Sequence, residues 1–120
     1  MASQDETASL LKRTPLFSGL SPAELDELAQ VAVPRTYEAG QVVFREGDQG
    51  DTCFVVRFGA VKITREHGGR TIALAELRAG DTFGELSMFG GEVRSATAQA
   101  LEPTAAVALL AGDIRRLLAG

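Results

Sequence analysis

Cysteine is nearly absent from this sequence, with Cys53 the single instance among 120 residues. One thiol cannot form a disulfide within the chain, and it is too few to hold an iron–sulfur cluster. A disulfide-stapled scaffold and a cysteine-held cluster are therefore excluded. Cys53 begins a short apolar run, and we expect it to be a small buried residue of a strand.

Long apolar runs are also missing. No segment approaches the roughly 18–20 apolar residues that cross a bilayer. The first six residues carry no positive charge and no apolar core, unlike a secretory signal peptide. We therefore expect a cytoplasmic protein with no membrane partner.

Basic charge and histidine are scarce as well. Twelve Lys and Arg face sixteen Asp and Glu, for a net charge of −4, which argues against nucleic acid binding by this segment. The only histidine, His67, stands in a His-Gly-Gly turn, and no nucleophile–base pair is evident. We predict no catalytic residue and no metal site.

The chain has enough apolar residues, 45%, to bury a core, and 120 residues predict one domain spanning 1–120. A first helix is predicted over Glu6 to Arg13. Ser21-Pro22-Ala23-Glu24 has the composition of a capping box with proline at the first helical position, so it predicts a second helix. We expect Pro34 to end that helix.

Beyond Arg35, glycines separate short apolar runs, which is typical of an all-β sandwich or barrel. The predicted strands are Gln41–Phe44, Cys53–Phe58, Ala60–Thr64, Thr71–Leu77, Thr82–Phe83, Ala96–Ala100 and Thr104–Leu110. The alternation within 71–75 predicts a half-buried strand. A last helix is expected from Gly112.

The most informative stretch is 82–98, TFGELSMFGGEVRSATA. Gly84 allows a sharp turn into one predicted helical turn, residues 85–88, whose free N–H groups would form an anion site. Arg94 can offer a bidentate fork to the same anion. Glu85 would repel an anion and suits a ribose hydroxyl better. Phosphate and ribose together indicate a nucleotide.

This stretch resembles the phosphate-binding cassette of the cyclic-nucleotide-binding domain family, which reads F-G-E, a short variable loop, then R-x-A-T/S. The glycine-punctuated strands before it also follow the family's order, so that the resemblance covers roughly residues 14–118. Val93 departs from it, because the family often has proline before the arginine. The resemblance implies a mainly β fold, a double-stranded β-roll (a jelly-roll-like barrel) with short flanking helices and a short cassette helix.

The resemblance also implies a ligand and its contacts. The effector would be a cyclic nucleotide, with Ser95 pointing to cAMP because threonine there favours guanine. The implied phosphate and ribose contacts are Gly84, Glu85, Leu86, Ser87, Arg94, Ser95 and Ala96. The implied base pocket is Phe44, Ile63 and Leu74.

Each of these residues has another interpretation. Arg94 could pair with Glu92 at the surface, and Glu85 could simply favour its own helix terminus. The hydroxyl of Ser95 could satisfy a local backbone group instead of a ligand. The three residues of the base pocket serve equally well as core residues.

Among members of the family, the chain looks most like bacterial transcription regulators of the catabolite-activator (CRP/FNR) type. In those proteins a long dimerisation helix and a helix-turn-helix follow the roll, so we expect this chain to be a fragment of a homodimer that binds DNA through its missing part. Two alternatives stay open: a ligand-free interaction or dimerisation domain, and the regulatory domain of a kinase, channel or esterase. A sensor of another small anion is a further possibility.

Overall fold

A computed structural model of the chain describes residues 4–84 and 93–118. Within these ranges, helices flank eight strands arranged in two antiparallel sheets. The helices are α1 (Gln4–Lys12), α2 (Pro22–Val31) and α3 (Ala111–Leu118), with a 3-10 turn at Pro15–Phe17. The strands are β1 (Val33–Tyr37), β2 (Val42–Phe44), β3 (Thr52–Phe58), β4 (Val61–His67), β5 (Arg70–Leu77), β6 (Thr82–Phe83), β7 (Thr97–Ala100) and β8 (Thr104–Leu110). The mainly β fold class is confirmed, whereas the expected cassette helix lies outside the described residues.

The first sheet has the strand order β1-β8-β3-β6 and the second the order β2-β7-β4-β5. Successive side chains of a strand point to opposite faces, so β3 serves two cores at once. Cys53 and Val55 pack against the helices, while Phe54 and Val56 pack between the two sheets. The first sheet is therefore covered on both faces, and Cys53 is fully buried as expected.

The start of α2 agrees with the sequence, and the helix ends before Pro34 as expected. Ser21 Oγ accepts from the N–H of Glu24 at 3.2 Å, and the N–H of Ser21 donates to Glu24 Oε1 at 2.8 Å. The helix ends at Val31, before the proline, and Pro34 lies within β1, a strand that the sequence analysis missed. Because β1 is an edge strand with β8 as its one partner strand, it can accommodate a proline, which has no N–H to donate.

Strand β5 forms where it was predicted, but the expectation of a half-buried strand was wrong. Every residue from Arg70 to Glu76 is exposed, so neither face of β5 is covered over this range, and β5 is also an edge strand paired only with β4. The alternation of apolar and polar residues in β5 therefore indicates a strand correctly, but it does not indicate that one face of the strand is buried.

Candidate ligand site around Arg94

A cavity of about 230 Å³ opens between the strands of the second sheet and the end of β6. Six of the residues singled out from the sequence line it: Phe44, Ile63, Gly84, Arg94, Ser95 and Ala96. Residues far apart in the chain therefore meet at one concave surface.

Gly84 makes the sharp bend that the sequence predicts. It follows β6, which is held in register by pairing of Phe83 with Phe54, and it has a φ of +80°. A side chain there would also collide, because an added Cβ would lie 2.7 Å from Arg94 Nη1 and 2.8 Å from Thr52 O. Only glycine fits both the backbone conformation and the space.

The backbone of Arg94 is fixed by the loop between β2 and β3. The N–H of Arg94 donates to Asp48 O at 2.8 Å, and Arg94 O accepts from the N–H of Gly47 at 2.8 Å. An isolated bridge pairs Val93 with Gln49. The sequence indicated only a turn in this loop. The structure shows that the loop also holds the backbone at Arg94, although Gln49 and Arg94 are 45 residues apart in the chain.

The side chain of Arg94 is buried, with only 7% of the residue exposed. Nη1 donates to Gly84 O at 3.3 Å, and Cζ lies 4.2 Å from the centroid of the Phe44 ring. Nε is buried and has no hydrogen-bond partner among the described residues. Within the same residues, no carboxylate forms an ion pair with this guanidinium.

The electrostatics follow from this burial. Loss of solvent lowers the pKa of the Arg94 guanidinium, and the neighbouring Asp51, Cys53 and Asp48 act in the opposite direction. An arginine remains charged in spite of such a shift. The site therefore contains a buried cation whose hydrogen-bonding capacity is only partly used, which is the chemistry that an anion completes.

The other predicted phosphate and ribose contacts divide into two groups. Ser95 is exposed and Ala96 half-buried at the lining of the cavity. Glu85, Leu86 and Ser87 lie outside the described residues, as does Glu92, the alternative partner of Arg94.

The predicted base pocket is only partly assembled. Phe44 and Ile63 line the cavity and also pack against the core between the sheets. Leu74 does not line it and is 55% exposed, and Ala75 and Leu77 of the same strand take that place. Successive side chains of a strand point to opposite faces, so Leu74 does not share the face of Ala75 and Leu77. A bulge also leaves Leu74 without a partner in β4, because Ile63 pairs with Ala75 and Thr64 with Ala73.

No cluster of three or more potential metal ligands occurs in the described part of the chain. In the same residues, none of the helices combines the length and the apolar character needed to cross a bilayer.

Comparison with known proteins gives consistent findings. A family model described as "Cyclic nucleotide-binding domain" matches residues 34–120. The chain is similar to the cyclic AMP receptor protein of Thermus thermophilus, with 40% identity over 112 residues that cover 89% of this chain and 52% of that protein. The chain thus spans about half the length of this curated relative.

Two solved structures share the fold over nearly the whole chain. The sensor domain of the transcriptional regulator DNR from Pseudomonas aeruginosa has a TM-score of 0.89 at 30% identity, covering 97% of this chain and 79% of that one. The regulatory domain of Toxoplasma gondii PKA, crystallised with cAMP, has a TM-score of 0.89 at 26% identity, covering 96% of this chain and 45% of that one.

Proposed function

We propose that this chain, which belongs to the cyclic nucleotide-binding domain family, binds cAMP in the cavity around Arg94 and acts as the sensory domain of a CRP/FNR-type transcription regulator. One observation carries the proposal. The guanidinium of Arg94 is buried at the wall of a cavity and has no carboxylate partner among the described residues. Burying an unpaired charge costs several kcal/mol, so an anion that fits the cavity gains correspondingly.

A cyclic phosphodiester suits this site because it carries one negative charge and accepts several hydrogen bonds. Charge-assisted hydrogen bonds contribute about 1.5–3 kcal/mol each. In the proposed complex Arg94 binds the phosphate, together with backbone groups of Gly84 and Leu86. Glu85 takes the ribose hydroxyl, and Ser87, Ser95 and Ala96 complete the contacts.

The preference for adenine rests on Ser95. Its exposed position at the lining of the cavity lets the hydroxyl reach either the phosphate or the edge of the base. A serine in place of the family's guanine-associated threonine favours cAMP over cGMP. The apolar wall of Phe44, Ile63, Ala75 and Leu77 would then face the rest of the nucleotide.

Regulation of transcription is proposed from the similarity to the Thermus thermophilus receptor protein and to the DNR sensor domain. Dimerisation and DNA binding would then belong to segments outside this chain. The likeness to the Toxoplasma gondii regulatory domain supports a second candidate, a cyclic-nucleotide regulatory domain of a kinase. Both candidates share the ligand site.

The proposal is tested by calorimetric titration of the chain with cAMP, cGMP and linear 5′-AMP. We expect saturable binding of cAMP, weaker binding of cGMP, and loss of cAMP binding in Arg94→Ala with a melting temperature within a few degrees of the parent. Arg78→Ala is the matched control, because it removes an exposed guanidinium that is paired with Glu76 and Glu102. Undiminished binding of cAMP by Arg94→Ala would refute the site, and absence of binding by the parent chain would favour the ligand-free interaction domain.

A further inference from the structure

Within residues 4–84 and 93–118, the guanidinium of Arg94 contacts an aromatic ring and forms no ion pair with a carboxylate. Its Cζ atom lies 4.2 Å from the centroid of Phe44, within the range of a cation–π contact. The ring of Phe44 is itself fixed, because it packs at a tilt against Phe54 at 6.0 Å and Phe83 at 5.9 Å. Phe54 and Phe83 stack on each other with centroids 4.9 Å apart. The guanidinium therefore packs on the Phe44 ring, which Phe54 and Phe83 hold in place.

The guanidinium of Arg94 occupies space beside Gly50 that a larger residue would fill. A Cβ added to Gly50 would overlap Arg94 Nε and would lie 2.6 Å from both Cζ and Nη2. The backbone of Gly50 has no positive φ, so this position does not need glycine for its conformation. The close approach of Arg94 is the physical reason for a glycine here.

We propose that Phe44 and Gly50 are positioning residues that together form a seat for the Arg94 guanidinium at the wall of the cavity. This inference rests on the proposed function, and it assigns Phe44 a second role in addition to its place in the apolar wall of the cavity. Neither residue need touch the ligand to act in this way.

The seat matters because the free guanidinium has competing partners. The carboxylates of Asp51 and Asp48 lie close enough to raise the pKa of this guanidinium, so both are possible partners for it, and water is a third. A guanidinium that left the seat to pair with a carboxylate would have to break that pair before it could bind a phosphate. A guanidinium held against an uncharged ring stays available to bind a phosphate. Its side chain is also ordered before the ligand binds, so binding carries a smaller entropy cost.

The test of the ring replaces Phe44 by 3,4,5-trifluorophenylalanine, which keeps the shape of the side chain and withdraws charge from the ring face. We expect cAMP affinity to fall roughly fivefold or more, as for loss of a desolvated cation–π contact. The same replacement at Phe17, which is fully buried among the helices, is the control and should leave the affinity unchanged. Unchanged or increased affinity on fluorination of Phe44 would overturn the role of the ring.

The test of the space is Gly50→Ala, with Gly19→Ala as the control because a Cβ at Gly19 meets nothing within 4 Å. We expect Gly50→Ala to weaken cAMP binding about tenfold, since the methyl displaces the end of a flexible side chain and spares the fold. Gly19→Ala should bind like the parent. Equal affinities of the two variants would overturn the role of Gly50.

Different outcomes refute the proposed function and the seat. A parent chain that binds no cyclic nucleotide refutes the proposed function itself. A parent chain that binds, together with variants at Phe44 and Gly50 that bind equally well, refutes only the seat.

Discussion

At the level of single residues, Arg94 is a group that lowers the stability of the ligand-free fold and is expected to favour binding of an anion. The buried guanidinium has no ion-pair partner in the described part of the chain, which costs free energy. Its hydrogen bond to the carbonyl of Gly84 and its contacts with the rings of Phe44 and Phe54 offset only part of that cost. The chain retains a cation where an apolar side chain would pack without that cost. A ligand-binding residue is expected to show this imbalance.

The corresponding prediction concerns Arg94→Met, which fills similar space without charge. We expect the free energy of unfolding of the ligand-free chain to rise by about 1 kcal/mol, because desolvation of a cation is no longer required. Urea denaturation followed by circular dichroism measures it. Arg78→Met, at an exposed position, should change stability by no more than about 0.5 kcal/mol. A clear loss of stability in Arg94→Met would mean that the cation already has a sufficient partner.

Gly84 illustrates a second effect at this scale, the combination of backbone conformation and crowding. Gly84 and Gly40 both have positive φ, +80° and +86°, but only Gly84 has neighbours within 4 Å of an added Cβ. One of those neighbours is the backbone oxygen of Thr52, which cannot move cheaply. The two glycines therefore separate conformational strain from steric overlap.

We predict that Gly40→Ala lowers the free energy of unfolding by about 1–2 kcal/mol, the cost of a left-handed residue with a side chain. Gly84→Ala should lower it by clearly more and should also displace Arg94. Thermal and urea denaturation of the two variants give the comparison. Equal losses would show that the strand end at Gly84 relaxes to accept the methyl group.

At the scale of secondary structure elements, Thr104 joins the turn between β3 and β4 to the start of β8. Its hydroxyl accepts from the N–H of Ala60 at 3.2 Å and donates to Glu102 O at 2.8 Å, and the residue is 2% exposed. A buried backbone donor thus depends on one side chain. Such a group is costly to leave without a partner.

For this reason Thr104→Val should destabilise the chain by about 1–3 kcal/mol although the two side chains have the same shape. Thr36→Val, on the exposed edge strand β1, is the matched control and should have almost no effect. Chemical denaturation provides both values. A Thr104→Val variant as stable as the parent would indicate that water or a backbone shift satisfies Ala60.

At the scale of the whole molecule, the first sheet is shared by two cores. The helices cover one face through Leu28 and its neighbours, and the second sheet covers the other through Val61 and Ala98, which share a core cluster with Val56 of β3. Because adjacent residues of β3 belong to different cores, neither core can be lost without disturbing the other. The described residues should therefore unfold as one unit.

We predict a single unfolding transition, with the same midpoint by far-UV circular dichroism and by fluorescence of Tyr37, the only tyrosine. Leu28→Ala should lower the free energy of unfolding by about 2–5 kcal/mol and Val56→Ala by about 2 kcal/mol, each shifting the whole transition. Two separate steps, with Leu28→Ala moving only one of them, would contradict the coupling.

Local signals in the sequence were sufficient for much of the architecture. The capping box at Ser21 and Glu24 and the bend at Gly84 were predicted correctly, because each depends on residues within one turn of the chain. The location of Pro34 in a strand was not, since tolerance for proline depends on which strand lies beside it. The sequence likewise offered no sign that Leu74 does not line the cavity, because the register of β5 against β4 depends on strand pairing.

Residue type and spacing are enough to indicate the mainly β class, the glycine at the bend and the arginine that follows it. The burial of Arg94 against Phe44, beside Gly50 and next to the carbonyl of Gly84, follows from the folded arrangement. Those residues come from separate strands and loops, and their meeting depends on sheet packing and strand register. This is so because the free energy of a charged group depends on how much water the fold removes from it and which partners the fold brings to it.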